Sequence, residues 1–267
     1  PSHSFFDVRP VFERLLATPL EPILLTTALE ALASFEDSSV PQFLVDHWQM
    51  FPVGARFRVL DILLDRQEHI SILLDTLENG SIEVGALDWA RKEKLLRNPD
   101  VRLATRARRL LGDTHQDRQR VVQNYLPVLD LSGKAEGGRA VFKKHCATCH
   151  FSKKGLRIGP DLSGVSSNTR AQLLQSILNP SKTIGGRYIN YLVLTQDNHL
   201  LDGLIVNETS NSLTLRRPES GDITLLKATL TEVRASNVSL MPDGFEDGID
   251  HKQMANLIAY LQGANLH

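Results

Sequence analysis

Several residue types that would mark other classes of protein are scarce in this chain. Cysteine occurs only twice in 267 residues, and no further Cys or His pair follows at the short spacing that a structural zinc site needs. No βαβ pattern precedes the two cysteines, which disfavours a dithiol oxidoreductase of the thioredoxin kind. The formal net charge is only −1, so we expect no nucleic-acid or membrane surface. No apolar segment is long enough to predict a membrane span in this chain.

Both cysteines lie in one pentapeptide, Cys146-Ala147-Thr148-Cys149-His150. This C-x-x-C-H pattern is typical of c-type haem attachment. Two thiols three positions apart on one helical turn can each form a thioether with a haem vinyl group, and the adjacent imidazole is then the proximal ligand of the iron. The sequence therefore predicts one covalently attached haem c, bound through Cys146 and Cys149, with His150 on the iron.

The segments on both sides of the pentapeptide support this prediction. Residues 138–145 are predicted to form an amphipathic helix that runs into the cysteines, with Val141 and Phe142 on its apolar side. Downstream, Gly159-Pro160 marks a turn. A carbonyl that accepts the ring N–H of a ligating His fixes its tautomer and raises its basicity. We expect the Pro160 carbonyl to act in this way, and an ordinary turn is the alternative.

Residues 133–267 resemble a class I cytochrome c, and more closely the haem-binding domain of the Pirellula/Verrucomicrobium type, which ends large secreted proteins of planctomycetes and their relatives. The matching segments occur in the family's order: GRAVFKKHCATCH, IGPDLSGV, LLQSILNPSKTI, LTEVRASNVSLMPDG and LIAYLQG. The resemblance implies a class I cytochrome c fold whose first and last helices cross over the haem. It also implies that Phe142, Pro160 and Leu162 contribute to haem binding.

A second iron ligand is expected on a loop before the terminal helix. The chain has three methionines, Met50, Met241 and Met254. Met50 and Met254 lie on predicted helices, where we expect core packing. Met241 stands before Pro242, and Met-Pro is a common form of the distal-ligand loop in class I cytochromes. By analogy with Met/His cytochromes we expect Met241 to be the distal ligand. The alternatives are His199, His251, His145 or an open site with water.

About sixty residues before Met241 carry strand signals that a minimal class I cytochrome lacks. Short β-branched or aromatic runs alternate there with turn residues, at 188–195, 200–206, 212–216, 222–227 and 229–233. We predict a small antiparallel β-meander of four or five strands, inserted at about residues 186–235 as in the resembling family. We expect it to cover one edge of the haem, exclude water and raise the reduction potential. The alternative is a sheet with no effect on the haem.

Residues 1–131 show repeated apolar helical runs and almost no strand signal. Val53-Gly54-Ala55 recurs thirty-one positions later as Val84-Gly85-Ala86, and Pro22-Ile23-Leu24 lies thirty-one positions earlier. A second helix is predicted in each unit, although the period is shorter than the usual HEAT length. We predict a HEAT-like α-solenoid over residues 1–131, with a plain helical bundle as the alternative. The Gly- and Ser-containing stretch 127–138 is taken as the boundary to a cytochrome domain at 132–267.

These features favour a mainly α protein that acts as a monohaem electron-transfer module and not as an enzyme. A haem enzyme or gas sensor with an open distal site is the first alternative, and a helical-repeat scaffold with a structural haem is the second. The resemblance implies a C-terminal electron outlet of a larger dehydrogenase-like protein, so the partner would be a redox protein or a fused dehydrogenase domain. Because haem c is attached outside the bacterial cytoplasm, we expect a periplasmic or otherwise extracytoplasmic location. The start at Pro1 leads us to expect a mature protein or a fragment of a longer one.

Overall fold

The chain forms two compact units. The computed structural model describes residues 4–16, 22–111, 116–151, 157–218 and 220–263. Taken over those described residues, the first unit contains Pro1–Gly112, Ile189–Leu215 and Asp222–Asn237, and the second contains Asp113–Tyr188, Arg216–Gly221 and Val238–His267. Most of the described elements are helices, and the strands among them form one small sheet. Within the described ranges, no helix has the length and apolar character that crossing a bilayer requires.

The N-terminal part of the first unit is helical because its apolar residues recur at helical spacing. Val59 and Leu63, four positions apart, are both fully buried, as is Leu60. Asp88 caps a later helix by accepting a hydrogen bond from the Arg91 backbone N–H at 3.0 Å. The helices described here are α1 (Phe5–Leu16), α2 (Pro22–Ala33), α3 (Val40–Asp46), α4 (Val53–Leu63), α5 (Gln67–Glu78), α6 (Trp89–Leu96) and α7 (Val101–Leu111).

These helices pack in two rows. Helix α2 contacts α4, while α3 contacts α5 and α5 contacts α7. Arg91 of α6 donates to the Asp61 carboxylate of α4 at 3.0 Å, across 30 positions of sequence. Arg106 of α7 donates to the Asp75 carboxylate of α5 at 2.7 Å, across 31 positions. Helix α4 is thus linked to α6, and α5 to α7, at separations of 30 and 31 residues.

The predicted strands form one five-stranded sheet in the order β4-β3-β2-β1-β5. The strands are β1 (Asn190–Thr195), β2 (Leu200–Glu208), β3 (Ser212–Arg217), β4 (Gly221–Leu226) and β5 (Leu230–Ala235). Strand β1 pairs antiparallel with both β2 and β5. The expectation of a simple meander is therefore wrong for the last strand, which returns to the far side of β1 instead of continuing beyond β4.

The sheet packs on helices of the first unit. The Glu208 carboxylate of β2 accepts the backbone N–H of Val53 at the start of α4, at 2.7 Å. A Cβ built on Gly85 would lie 2.4 Å from the backbone carbon of Ser236, just after β5. Gly85 therefore permits close backbone approach where another residue would collide. The strands that follow the pentapeptide in sequence thus belong with the N-terminal helices. Their expected effect on the haem stays a prediction.

The second unit is a group of short helices around one core. Its described helices are α8 (Gln116–Asn124), α9 (Ala135–His145), α10 (Ala147–His150), α11 (Arg170–Leu178) and α12 (His251–Gly263). Helix α11 begins with a capping box, in which Thr169 and Gln172 satisfy each other's backbone N–H groups. Asp250 and Gln253 exchange the same pair of bonds at the start of α12, at 2.8 and 3.0 Å. These caps define where each helix begins.

Helices α9 and α12 meet through glycines. A Cβ on Gly138 would lie 2.0 Å from the Asn256 carbonyl oxygen, and a Cβ on Gly133 would lie 2.1 Å from that of Ala255. The ring centroids of Phe142 and Tyr260 are 5.4 Å apart across the same contact. The first and last helices of the predicted cytochrome domain therefore pack together as closely as their backbones allow.

The core of this unit includes residues that precede the predicted domain boundary. Val122, Tyr125 and Val128 are buried in the same cluster as Phe142 and Met254. A fully buried side chain such as Met254 stabilises the fold by about 1.5–3 kcal/mol relative to leaving it exposed. The structural division falls near residue 113 and not at 131/132, because the segment before 132 contributes apolar surface to this core.

Candidate haem-attachment site

The pentapeptide forms one helical turn directly after α9. The backbone N–H groups of Cys149 and His150 both point to the Cys146 carbonyl oxygen, at 3.2 and 3.0 Å. The N–H of Phe151 donates to the Ala147 oxygen at 2.9 Å, which extends the turn. The turn therefore brings both thiols and the imidazole into one short segment, as the spacing of the motif requires.

The two thiols are free and half-buried. Burial, with a smaller contribution from Cys149, raises the pKa of the Cys146 thiol to about 11. Burial likewise raises the pKa of Cys149 above its ordinary value. Dithiol oxidoreductases need a lowered thiol pKa, because the thiolate is the nucleophile. Among the described residues, no group of three or more His, Cys, Asp or Glu side chains is placed so that it could hold a metal ion.

His150 is oriented by the loop that follows it. Its ring Nδ1 lies 2.9 Å from the Pro160 carbonyl oxygen, which is the contact expected from the sequence. Because a carbonyl only accepts, Nδ1 carries the hydrogen and Nε2 keeps its lone pair. Burial lowers the pKa of His150, and the bond to Pro160 acts in the opposite direction. The ring is therefore a neutral imidazole whose Nε2 is available to a metal.

Gly159 supports the same ring, a contact that was not predicted because the sequence pattern assigned Gly159 no role beyond the turn before Pro160. The Gly159 N–H donates to the Cys149 carbonyl oxygen at 3.0 Å. A Cβ at Gly159 would lie 2.7 Å from both Cε1 and Nδ1 of His150 and 3.0 Å from Nε2. The backbone thus lies directly against the imidazole, and only glycine fits this contact without displacement.

The loop around Pro160 is fixed further by Asp161. Its carboxylate accepts the Ser163 backbone N–H at 2.8 Å and pairs with Arg157. The bonds from Ser163 and Arg157 lower the pKa of Asp161 to about 2. Asp161 therefore links Arg157 and Ser163, which lie on either side of Pro160 in the sequence. The segment 152–156 that precedes it lies outside the described residues.

Met241 lies at the margin of the same core. It is partly buried and packs against the core cluster, as do Cys146 and Leu162, while Phe142 is inside the cluster. The Met241 N–H donates to Ser239 Oγ at 3.1 Å, and the Ser239 N–H donates to Ser181 Oγ at 3.1 Å. These two bonds connect the methionine loop to the segment after α11.

The other methionines and the histidine alternatives have different surroundings. Met254 is fully buried, as expected for a core residue, whereas Met50 is 46 % exposed. The expectation of a core position for Met50 is therefore wrong, because its 3₁₀ turn buries Trp48 instead. His199 belongs to the first unit and pairs with Asp197 at 2.8 Å. In the second unit, the ring of His145 lies edge-on to Phe245, and that of His251 lies edge-on to Tyr125.

The side chains of this site have the chemistry that a c-type haem requires. Two half-buried protonated thiols are available for thioether bonds, and Nε2 of a neutral imidazole is free for iron. Apolar side chains lie beside them at the margin of the core. A thioether at Met241 is a soft neutral ligand of the kind found opposite His in cytochromes. The residues of the pentapeptide therefore fit a covalently bound haem with an imidazole ligand, and ligation by Met241 stays a prediction.

Comparison with known proteins concerns the segment that contains the pentapeptide. Residues 133–186 match the family described as cytochrome c oxidase, cbb3-type, subunit III. This part of the chain is thus a cytochrome c family domain, and such domains bind haem c covalently. The chain is also similar to a cytochrome c-553-like protein of Synechocystis, with 51% identity over 39 residues. That match covers 15% of this chain and 37% of the relative, so the chain spans little more than a third of that protein's length.

Proposed function

We propose that this protein is a monohaem c-type cytochrome that carries single electrons and performs no substrate chemistry of its own. The observation that carries the proposal is the orientation of His150, whose Nδ1 is 2.9 Å from the Pro160 oxygen while Gly159 lies against its ring. A bound haem would supply reversible one-electron chemistry at its iron. A pre-oriented neutral imidazole beside two thiols is what such a group needs from the protein.

The proposal assigns a role to each side chain of the site. Cys146 and Cys149 would hold the haem by thioether bonds, and His150 and Met241 would be the protein ligands of its iron. Two protein ligands on the iron would leave it for electron transfer and would block the binding of a substrate or gas, which separates an electron carrier from a haem enzyme or sensor. Phe142 and Leu162 would contribute apolar surface that excludes water and favours the less charged, reduced state.

The N-terminal helices α1–α7 of the first unit are proposed to form a HEAT-like solenoid. Its support is the packing of helices in two rows and the pair of Arg–Asp links at separations of 30 and 31 residues. In a solenoid each repeat buries its apolar face on the next. A helical-repeat platform attached to a cytochrome would suit the resembling planctomycete proteins, in which this chain would be the electron outlet of a larger dehydrogenase-like protein. Cytochrome c domains are generally extracytoplasmic, and we propose the periplasm.

Optical spectroscopy of the protein purified with its haem tests the axial ligation. The ferric form should be low-spin and show the weak red-region band of a Met–iron bond. Met241→Ala should remove that band, lower the reduction potential and allow carbon monoxide to bind the reduced protein, because a small side chain leaves the distal position open.

Met254→Leu is the matched control, because it conserves volume in a fully buried position. It should leave the band and the potential unchanged. If Met241→Ala has the spectrum of the unchanged protein, Met241 is not the ligand, and His145 and His251 of the same unit are tested next. If the unchanged protein binds carbon monoxide as rapidly as Met241→Ala, the open-site alternative replaces electron transfer.

A further inference from the structure

Arg118 of α8 makes long-range contacts with two elements of the second unit. Its Nε and Nη2 donate to the Leu178 carbonyl oxygen at the end of α11, at 3.0 and 2.7 Å. Its Nη1 and Nη2 donate to the two carboxylate oxygens of Glu246, at 2.5 and 2.8 Å. Asp243 adds a third acidic oxygen at 3.6 Å. Arg118 thus joins the end of α11 to the loop that lies between Met241 and α12.

A second side chain from the same region holds the far end of this loop. The Tyr125 hydroxyl donates to the Ile249 carbonyl oxygen at 2.7 Å and lies 3.2 Å from the backbone carbonyl oxygen of Glu246. Its ring centroid is 4.4 Å from that of His251, the first residue of α12. Arg118 and Tyr125 therefore hold residues 243–251 from one side.

The methionine loop needs such support because its own backbone is permissive. Gly244 has φ +89°, a conformation that most residues avoid. Between Ser239 and α12, short local bonds within residues 244–248 form a single 3₁₀ turn. The Arg118 and Glu246 side chains are only 16% and 18% exposed, and a bidentate, charge-assisted pair in such a place is both strong and geometrically specific.

We infer that Arg118 is a positioning residue for Met241: through Glu246 and Leu178 it holds the distal-ligand loop in the place where the thioether binds iron. The inference rests on the proposed ligation by Met241. It assigns a haem-site role to a helix that lies before residue 132, outside both the matched segment 133–186 and the predicted cytochrome domain.

The test uses the full-length holoprotein and three variants. Arg118→Gln removes both the positive charge and the bidentate guanidinium group, whereas Arg118→Lys keeps the charge but not the bidentate group. Arg120→Gln is the control on the same helix, because Arg120 is 74% exposed and its ion pair is with Asp117, which is itself 94% exposed. Carbon monoxide binds the reduced protein only after Met241 leaves the iron, so its rate of binding reports release of the loop.

We expect Arg118→Gln to bind carbon monoxide at least tenfold faster than the unchanged protein. Tenfold corresponds to about 1.4 kcal/mol, which is close to the net value of a hydrogen bond to a charged group. Arg118→Lys should recover part of the difference, and Arg120→Gln should match the unchanged protein. Backbone amides of Asp247 and Gly248, which donate within the loop, should exchange hydrogen faster in Arg118→Gln than in Arg120→Gln.

The outcomes separate this inference from the proposed ligation. If the unchanged protein shows Met241–iron bonding but Arg118→Gln binds carbon monoxide at the control rate, the positioning role is wrong and the ligation stands. If Met241 proves not to be the ligand, the proposed ligation fails and this inference fails with it. If Arg118→Gln does not fold, Tyr125→Phe is measured instead. It removes the hydroxyl that donates to the backbone carbonyl oxygens of Ile249 and Glu246, and an unchanged rate of carbon monoxide binding would overturn the loop-holding role.

Discussion

The contact between Gly159 and the His150 ring predicts a sharp cost for one added methyl group. In Gly159→Ala the new Cβ would lie 2.7 Å from Cε1 and Nδ1. Ordinary van der Waals contact begins at 3.4 Å, so the ring or the loop must move by about 0.7 Å, a displacement comparable with the ~0.5 Å tolerance of a functional site. The ring has little freedom to move, because Nδ1 is bonded to the Pro160 oxygen.

Overpacking of this kind costs about 1–3 kcal/mol in free energy of unfolding. With a urea dependence of about 2 kcal/mol per molar, the unfolding midpoint should fall by roughly 0.5–1.5 M. The displaced imidazole should also weaken the His–iron bond, which would appear as a high-spin fraction in the ferric spectrum. Both quantities can be measured on one sample, by urea titration followed through circular dichroism and by absorption spectroscopy.

Gly164→Ala is the matched control within the same loop. A Cβ there would have no heavy atom within 4 Å, and its backbone φ is −93°, so an alanine should be neutral or slightly stabilising. The reasoning is refuted if Gly159→Ala has the same midpoint and the same spectrum as Gly164→Ala, since the ring would then have space that the geometry denies it.

Two further predictions concern helix packing and pH. Gly138→Ala should destabilise the second unit by about 1–3 kcal/mol in a urea titration, because its Cβ would lie 2.0 Å from the Asn256 oxygen; Gly54→Ala on α4 meets nothing within 4 Å and should not. The Arg118 hydrogen bonds hold the pKa of Glu246 below its ordinary value. The stability that these bonds provide is therefore fully present when the pH is above the ordinary pKa, and it is lost as the pH falls through the lowered pKa. Glu246→Gln should therefore be less stable than the unchanged protein at pH 7 by about 1–2 kcal/mol; a deficit that stays constant down to pH 3 would contradict this.

The parts of the site that were predictable are local in sequence. The turn that unites Cys146, Cys149 and His150 follows from their spacing, and the Pro160 contact lies only ten residues from His150. Arg118 was not predictable, because its partner Glu246 lies 128 positions away. Nothing near Arg118 in sequence indicates which of the two arginines on this polar helix faces inward.

The fold shows the same division between local and long-range information. Strand positions followed from β-branched runs and turn residues, but the pairing of β5 with β1 depends on contacts that the sequence pattern does not encode. The glycines at 133, 137 and 138 are part of the stretch assigned as the domain boundary, whereas in the structure they lie against α12. Glycine is typical both of domain boundaries and of close helix packing, and the sequence pattern alone does not separate the two.

The assignment of the strands to the first unit has a consequence for inheritance. The chain passes between the units five times, at 112/113, 188/189, 215/216, 221/222 and 237/238. A single recombination point can therefore move neither unit intact, and a gene fragment that begins at residue 132 would encode β1–β5 without the helices on which they pack. We therefore expect the two units of such a chain to be duplicated, lost and diversified together in evolution, as one inherited segment.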